Sequence, residues 1–133
     1  MPLIRDSNTG PGSQFHSEAL AENYIIYSSA VLTYAVSDPS YSGSLADNNL
    51  DLPPLYSNEG TWNNMITVDG LVWVWGPEKF DILTRINNKL GEFMRVGLNK
   101  ETYIWNPAKA TFIEIQVPNI VPRDNIVMII KVR

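Results

Sequence analysis

The chain has 133 residues, 44% of them hydrophobic and 18% charged, a size and balance that fit one domain with its own core and exclude a disordered polypeptide. Ten basic against fourteen acidic residues leave a net charge of -4, and no Lys/Arg cluster offers a footprint for phosphate, so nucleic acid is excluded as a partner. Cysteine is absent, which rules out disulfides and thiolate metal sites without fixing the compartment.

Residues 1–14 open with Pro2, Asp6, Asn8, Gly10, Pro11, Gly12 and Ser13, the composition of a flexible linker or tether, and residues 15–133 read as a single α+β domain. No stretch approaches the roughly 20 apolar residues of a membrane span, and the N-terminus lacks the basic and apolar regions of a signal peptide, so the domain is expected to be soluble. From 15 to 36, Leu20, Tyr24, Tyr27, Val31 and Tyr34 recur at intervals of four and three, which puts them on one face of a first helix. Glu18, Glu22, Ser29 and Thr33 lie on its wet side, and Ser37-Asp38-Pro39 stops it because proline disfavours helical geometry in the residue before it.

Residues 37–61 are dense in turn formers and predict a long loop with one helical turn near Leu45 to Leu50, pinned to the core by Leu45, Leu50, Leu52, Leu55 and Tyr56. Met65–Val68 and Leu71–Trp75 flank Asp69-Gly70, a dipeptide suited to a two-residue hairpin turn with positive φ at both central positions. In the second of these strands Leu71, Trp73 and Trp75 share one face and Val72 and Val74 the other, so both faces are apolar and the strand is expected to be central. Gly76-Pro77 is expected to start a second helix ended by Gly91, with Phe80, Leu83, Ile86 and Leu90 as its buried stripe and Asp81–Arg85 as an exposed pair. Four apolar runs follow, Phe93–Leu98, Thr102–Trp105, Thr111–Val117 and Ile126–Val132, separated by turn signals. The expected architecture is thus an N-terminal helix and a second helix packed on a mainly antiparallel sheet of about six strands. The last strand, apolar and at the end of the chain, is expected to be a sheet edge guarded by Lys131 and Arg133.

Little in the chain points to catalysis. His16 is the only histidine, so no histidine pair can bind a metal, and it reads as a solvated residue near the helix start. Asp47, Asn49 and Asp51 alternate as hard-cation ligands do, but the loop lacks the central glycine and closing glutamate of an EF-hand and reads as turn chemistry. A hydrolase would have to be assembled from Ser28, Ser29 and His16, and no phosphate loop or nucleophile elbow is present. The chain is therefore expected not to be an enzyme and to need no cofactor or metal. Its most unusual feature is four tryptophans and six tyrosines; most are expected in the core, with Tyr41, Tyr56 and Trp62, in or beside the loop, as the exposed candidates for partner contact.

The stretch Asn23-Tyr24-Ile25-Ile26-Tyr27-Ser28-Ser29-Ala30-Val31-Leu32-Thr33-Tyr34, the loop Gly43-Ser44-Leu45-Ala46-Asp47-Asn48-Asn49-Leu50-Asp51-Leu52-Pro53, the Trp62-Asn63-Asn64 step, the hairpin end Val72-Trp73-Val74-Trp75-Gly76-Pro77 and the closing Val117-Pro118-Asn119-Ile120-Val121-Pro122 resemble the PilM family of type IVB pilus biogenesis proteins, over about residues 18–132. The resemblance implies a component of the pilus assembly apparatus or pilus base, linked to conjugation, that works by contact with pilins or other assembly proteins. It also implies a place at the periplasmic face of the inner membrane, with the membrane reached only through an anchor missing from this chain. It supplies no functional residues. The alternative reading is a minor pilin or tip adhesin whose exposed aromatics stack on a surface ligand.

Overall fold

A computed structural model describes residues 11–79, 81–89 and 95–132. Helix α1 runs Pro11–Ser37, strands β1 (Asn63–Ile66) and β2 (Leu71–Gly76) follow the long loop, helix α2 covers Ile82–Lys89, and β3 (Arg95–Asn99), β4 (Tyr103–Asn106), β5 (Thr111–Glu114) and β6 (Ile126–Lys131) complete the chain. The strands form one antiparallel sheet in the order β1-β2-β6-β3-β4-β5. The expected α+β architecture of two helices on a six-stranded antiparallel sheet is what the chain forms. Because α1 already begins at Pro11, the last four residues assigned to the linker, 11–14, are helical.

The alternation of strand side chains divides the molecule into two cores. On one face Val72 and Val74 of β2, Met128 and Ile126 of β6 and Val96 of β3 meet Leu20, Tyr24, Tyr27 and Val31 of α1 and Leu83 and Ile86 of α2. The stripe expected of α1 is the one it buries, with Ala21, Ala30 and Ala35 letting the backbone approach the sheet. On the other face Trp73, Trp75, Val127 and Ile129 are covered by Val117 and Val121, so the irregular segment after β5 does the work a helix does on the first face. Strands β2 and β6 are buried on both sides, which is why each reads as a continuous apolar run.

Several local expectations are corrected. Strand β6 lies between β2 and β3, so the end of the chain supplies an interior strand; Lys131 belongs to it and Arg133 lies outside the described residues. The edges are β1 and β5. At the β1–β2 turn only Gly70 has positive φ (86°), and its N–H donates to the Thr67 carbonyl while the Thr67 N–H donates to that of Leu71. This is a tight turn closed by a glycine bulge rather than the two-residue turn expected. Helix α2 starts at Ile82, not at Pro77, because the Glu78 carboxylate accepts from the Ile82 N–H at 3.0 Å and so caps it from outside. Arg85 pairs across the helices with Glu18 at 3.1 Å instead of with Asp81, and Lys89 reaches Glu22 at 3.2 Å. Phe80, Leu90 and Gly91 lie outside the described residues.

The two tyrosines at the centre of α1 make the fold sensitive to alkali. Tyr24 donates its hydroxyl to the Val74 carbonyl at 2.9 Å, and the Tyr27 oxygen accepts from the Asn64 amide at 2.7 Å. Burial raises both pKa values, that of Tyr27 to about 12. The phenols of the unfolded chain ionise near their ordinary value of about 10, so their contribution to stability is complete below that pH and is lost as the pH climbs toward the folded values. Urea midpoints measured between about pH 9 and pH 11.5 are expected to fall steeply above about pH 10, by up to about 1.4 kcal/mol per pH unit for each buried phenol. A flat profile to pH 11.5 contradicts this placement of the rings.

Candidate functional site

The aromatic residues of the loop are used inside the molecule. Trp62 is only 2% exposed, which corrects the expectation that it faces solvent. Its ring stands edge-on to Tyr24 with centroids 4.8 Å apart, and its Nε1–H donates to Asn23 Oδ1 at 2.9 Å. The same Asn23 side chain donates to the Ser57 carbonyl at 2.8 Å and accepts from the Glu59 N–H at 3.1 Å, while the Tyr56 hydroxyl donates to the Asn23 carbonyl at 2.9 Å. One polar residue of α1 thus gathers residues 56–62. Tyr41 is half-buried, edge-on to Tyr34 at 5.4 Å, with its hydroxyl donating to the Ser44 carbonyl. Leu45 and Leu50 pin the loop as expected, whereas Leu55 is fully exposed on a left-handed backbone (φ 65°).

The other sequence candidates are scattered. Ser28 is buried and donates to the Tyr24 carbonyl at 2.8 Å, and His16 is exposed twelve residues earlier on the same helix, about 18 Å away at the helical rise per residue. Ser29, one position further along, is farther still. Asp47 and Asn49 are exposed on a short 3₁₀ turn and Asp51 is exposed just beyond it, and among the described residues no three His, Cys, Asp or Glu side chains come together as a metal site would require.

At the opposite edge of the sheet, one face of the β4–β5 hairpin is left open among the described residues. Tyr103 and Trp105 of β4 stand opposite Glu114 and Phe112 of β5, so all four share a face. Phe112 is 60% and Tyr103 38% exposed, with their rings edge-on at 6.0 Å. Together with Lys100 and Thr102 they line an open groove of about 720 Å³. On the reverse face a second groove of about 600 Å³ is lined by Ile104 and Ile113 and by the cations Arg95 and Lys109.

The hairpin is held rigidly enough to present these grooves. Asn106, buried at its tip, donates to the Val96 carbonyl at 3.1 Å and exchanges amide hydrogen bonds with Asn87 of α2 at 3.0 and 3.1 Å. Its Oδ1 also accepts from the Ala108 N–H at 3.1 Å, shaping the turn. Along β5 the Ile115 N–H donates inward to the Thr102 carbonyl, so by antiparallel alternation Ile113 also pairs inward, and Phe112 and Glu114 turn their backbone N–H and C=O groups outward. Edge β1, by contrast, is covered by the loop: Gly43 and Ile66 exchange backbone bonds at 2.8 and 2.9 Å, and Asn64 binds both backbone groups of Leu45. Spacing does not separate Tyr103, Trp105 and Phe112 from core residues; their place in the groove follows from strand order, which puts the β4–β5 hairpin at one edge of the sheet.

The described residues thus form a small α+β domain with a covered edge, an open edge and an aromatic and a cationic groove beside the open one. Residues 5–129 match the PilM family model, and the chain belongs to the PilM family. Its fold is shared with a crystal structure bearing the PilM name from Escherichia coli B7A, at 20% identity and a TM-score of 0.68 over 96% of this chain and 100% of that one. A second, from Pseudomonas aeruginosa 2192, has 20% identity and a TM-score of 0.52 over 87% of this chain and 94% of that one. No curated protein matches the chain. Family membership implies a role in pilus biogenesis, with pilus assembly partners in general. Among the described residues no helix is long and apolar enough to cross a membrane.

Proposed function

We propose that this chain is a non-enzymatic component of a type IVB pilus assembly apparatus or pilus base, acting at the periplasmic face of the inner membrane by binding pilins or other assembly proteins. The observation that carries the reading is the β4–β5 end of the sheet, where Phe112, Tyr103 and Trp105 form an aromatic surface beside an open strand edge. Aromatic anchors next to unused backbone groups are what a protein partner recognises. A small-molecule reaction needs convergent titratable groups instead, and the His16, Ser28 and Ser29 set is spread along one helix.

Deletion of the gene is expected to abolish or strongly reduce pili seen by electron microscopy and conjugation in liquid, with restoration by the wild-type gene. Normal piliation and normal liquid mating in the deletion strain contradict the proposal. A second reading, a minor pilin or tip adhesin, draws on the same groove, because Tyr103 and Trp105 are ring systems on which a sugar can stack. Binding on a glycan array that disappears in Trp105→Ala favours the adhesin, and a blank array favours the assembly protein.

A further inference from the structure

We infer that the open edge of β5 is a docking site for an extended segment of a partner protein in which apolar and acidic residues alternate, added to the sheet as a further strand. The inference rests on the assembly-protein reading and specifies its partner. Two features locate the site. The outward N–H and C=O groups of Phe112 and Glu114 form half of a strand ladder, and no other part of the described chain uses them. The edge strand is short and carries Glu114, but it has no lysine, proline or covering segment among the described residues, and its Phe112 is 60% exposed.

The chemistry of the occupant follows from the two grooves that flank the edge. A strand laid beside β5 sends successive side chains to opposite faces of the sheet. One set enters the groove of Tyr103, Trp105 and Phe112, whose open rings accept apolar side chains. The other set enters the groove that holds Arg95 and Lys109. Neither cation has an acidic partner among the described residues, whereas Arg85, Lys89, Lys100 and Arg123 are paired; Lys79 and Lys131 are also without a salt bridge, but only Arg95 and Lys109 line a groove beside an open strand edge. Carboxylates on the alternate positions of the incoming strand complement that charge. Backbone pairing supplies affinity, and the period of two supplies specificity.

The test uses the purified chain and a fluorescein-labelled peptide of alternating isoleucine and glutamate, read by fluorescence anisotropy. Saturable binding is expected, at least about tenfold tighter than that of a peptide with the same composition in blocks. Arg95→Glu is expected to weaken binding about tenfold and to accept instead a peptide with lysine in place of glutamate. Glu114→Pro removes an outward N–H while leaving the inward ladder intact, and is expected to reduce binding about tenfold at an unchanged melting temperature. Should that variant fold poorly, two peptides methylated on alternate backbone nitrogens answer the same question with the native protein: one loses binding and the other keeps it. Equal binding of alternating and blocked peptides, or of the two methylated ones, overturns the inference. So does a dimer in sedimentation that Glu114→Pro dissolves, since the occupant is then a second copy. Loss of pili in a deletion strain combined with failure of the peptides removes this docking mode while leaving the assembly role standing.

Discussion

Trp62→Ala is expected to lower the unfolding midpoint by about 10–15 °C, corresponding to a loss of about 4 kcal/mol. The indole fills a slot at the junction of α1, the long loop and β2, where Tyr24 packs against it and Asn23 accepts its N–H. Removing it leaves a cavity that Tyr24, fixed through its own bond to Val74, cannot collapse into. The slot is set by two glycines. A Cβ on Gly60 would lie 2.0 Å from the indole, and one on Gly76 would lie 2.1 Å from it. Gly76→Ala is therefore expected to cost about 2 kcal/mol or more when Trp62 is present and much less in the Trp62→Ala background. A double-mutant cycle by urea denaturation measures the coupling. Additive costs contradict the packing described.

Replacing Asn64 ranks next. It is 3% exposed, and its Oδ1 accepts from the Leu45 N–H at 2.8 Å while its amide donates to the Tyr27 oxygen at 2.7 Å and the Leu45 carbonyl at 2.9 Å. Asn64→Ala strands the buried backbone groups of Leu45 and is expected to cost about 3 kcal/mol. Asn64→Asp keeps the acceptor for the Leu45 N–H, and the Tyr27 hydroxyl can turn to donate to it, but the bond to the Leu45 carbonyl becomes a repulsion between oxygens. Its carboxyl, held in a buried site with no cation, ionises at a higher pH in the fold than in the unfolded chain. The charge-dependent cost is therefore full at about pH 7 and diminishes as the pH falls through that raised value, because the neutral acid donates again. Urea titrations at about pH 7 and about pH 4.5 separate the two variants: the aspartate variant recovers relative to wild type and the alanine variant does not. Parallel behaviour contradicts the assigned hydrogen bonds.

These two sites also mark how far the fold can be read from residues. The stripe on α1 and the doubly apolar β2 were legible because each obeys one local periodicity, of 3.6 or of 2. Strand order was not, because pairing β2 with β6 joins segments far apart in the chain; the signal that β6 is interior is the uninterrupted apolar run Ile126–Ile130, which its terminal position masks. Pro77 suits the start of a helix and so points to Glu78 as a first-turn residue, whereas its carboxylate caps the helix from outside. The candidate site was the least legible part. A tryptophan beside a loop and a tryptophan in a strand look alike in sequence, yet Gly60 and Gly76 leave room for Trp62 inside while Trp105 lines an open groove with Tyr103 and Phe112. Asparagines carry a further signal: Asn23, Asn64, Asn99 and Asn106 each hold irregular backbone, as Asn99 does by donating to the Val121 and Pro122 carbonyls at 3.0 Å. In a chain without disulfides such residues fix the loops.

The uncovered hairpin end carries the functional account, and pilus assembly in cells reads it most directly. In a strain lacking the gene, a Glu114→Pro, Phe112→Ser variant shown by circular dichroism to be folded and by immunoblot to be present at the wild-type level is expected to leave pilus number at that of the deletion. Wild-type pilus number from this variant would mean that partners bind elsewhere on the domain.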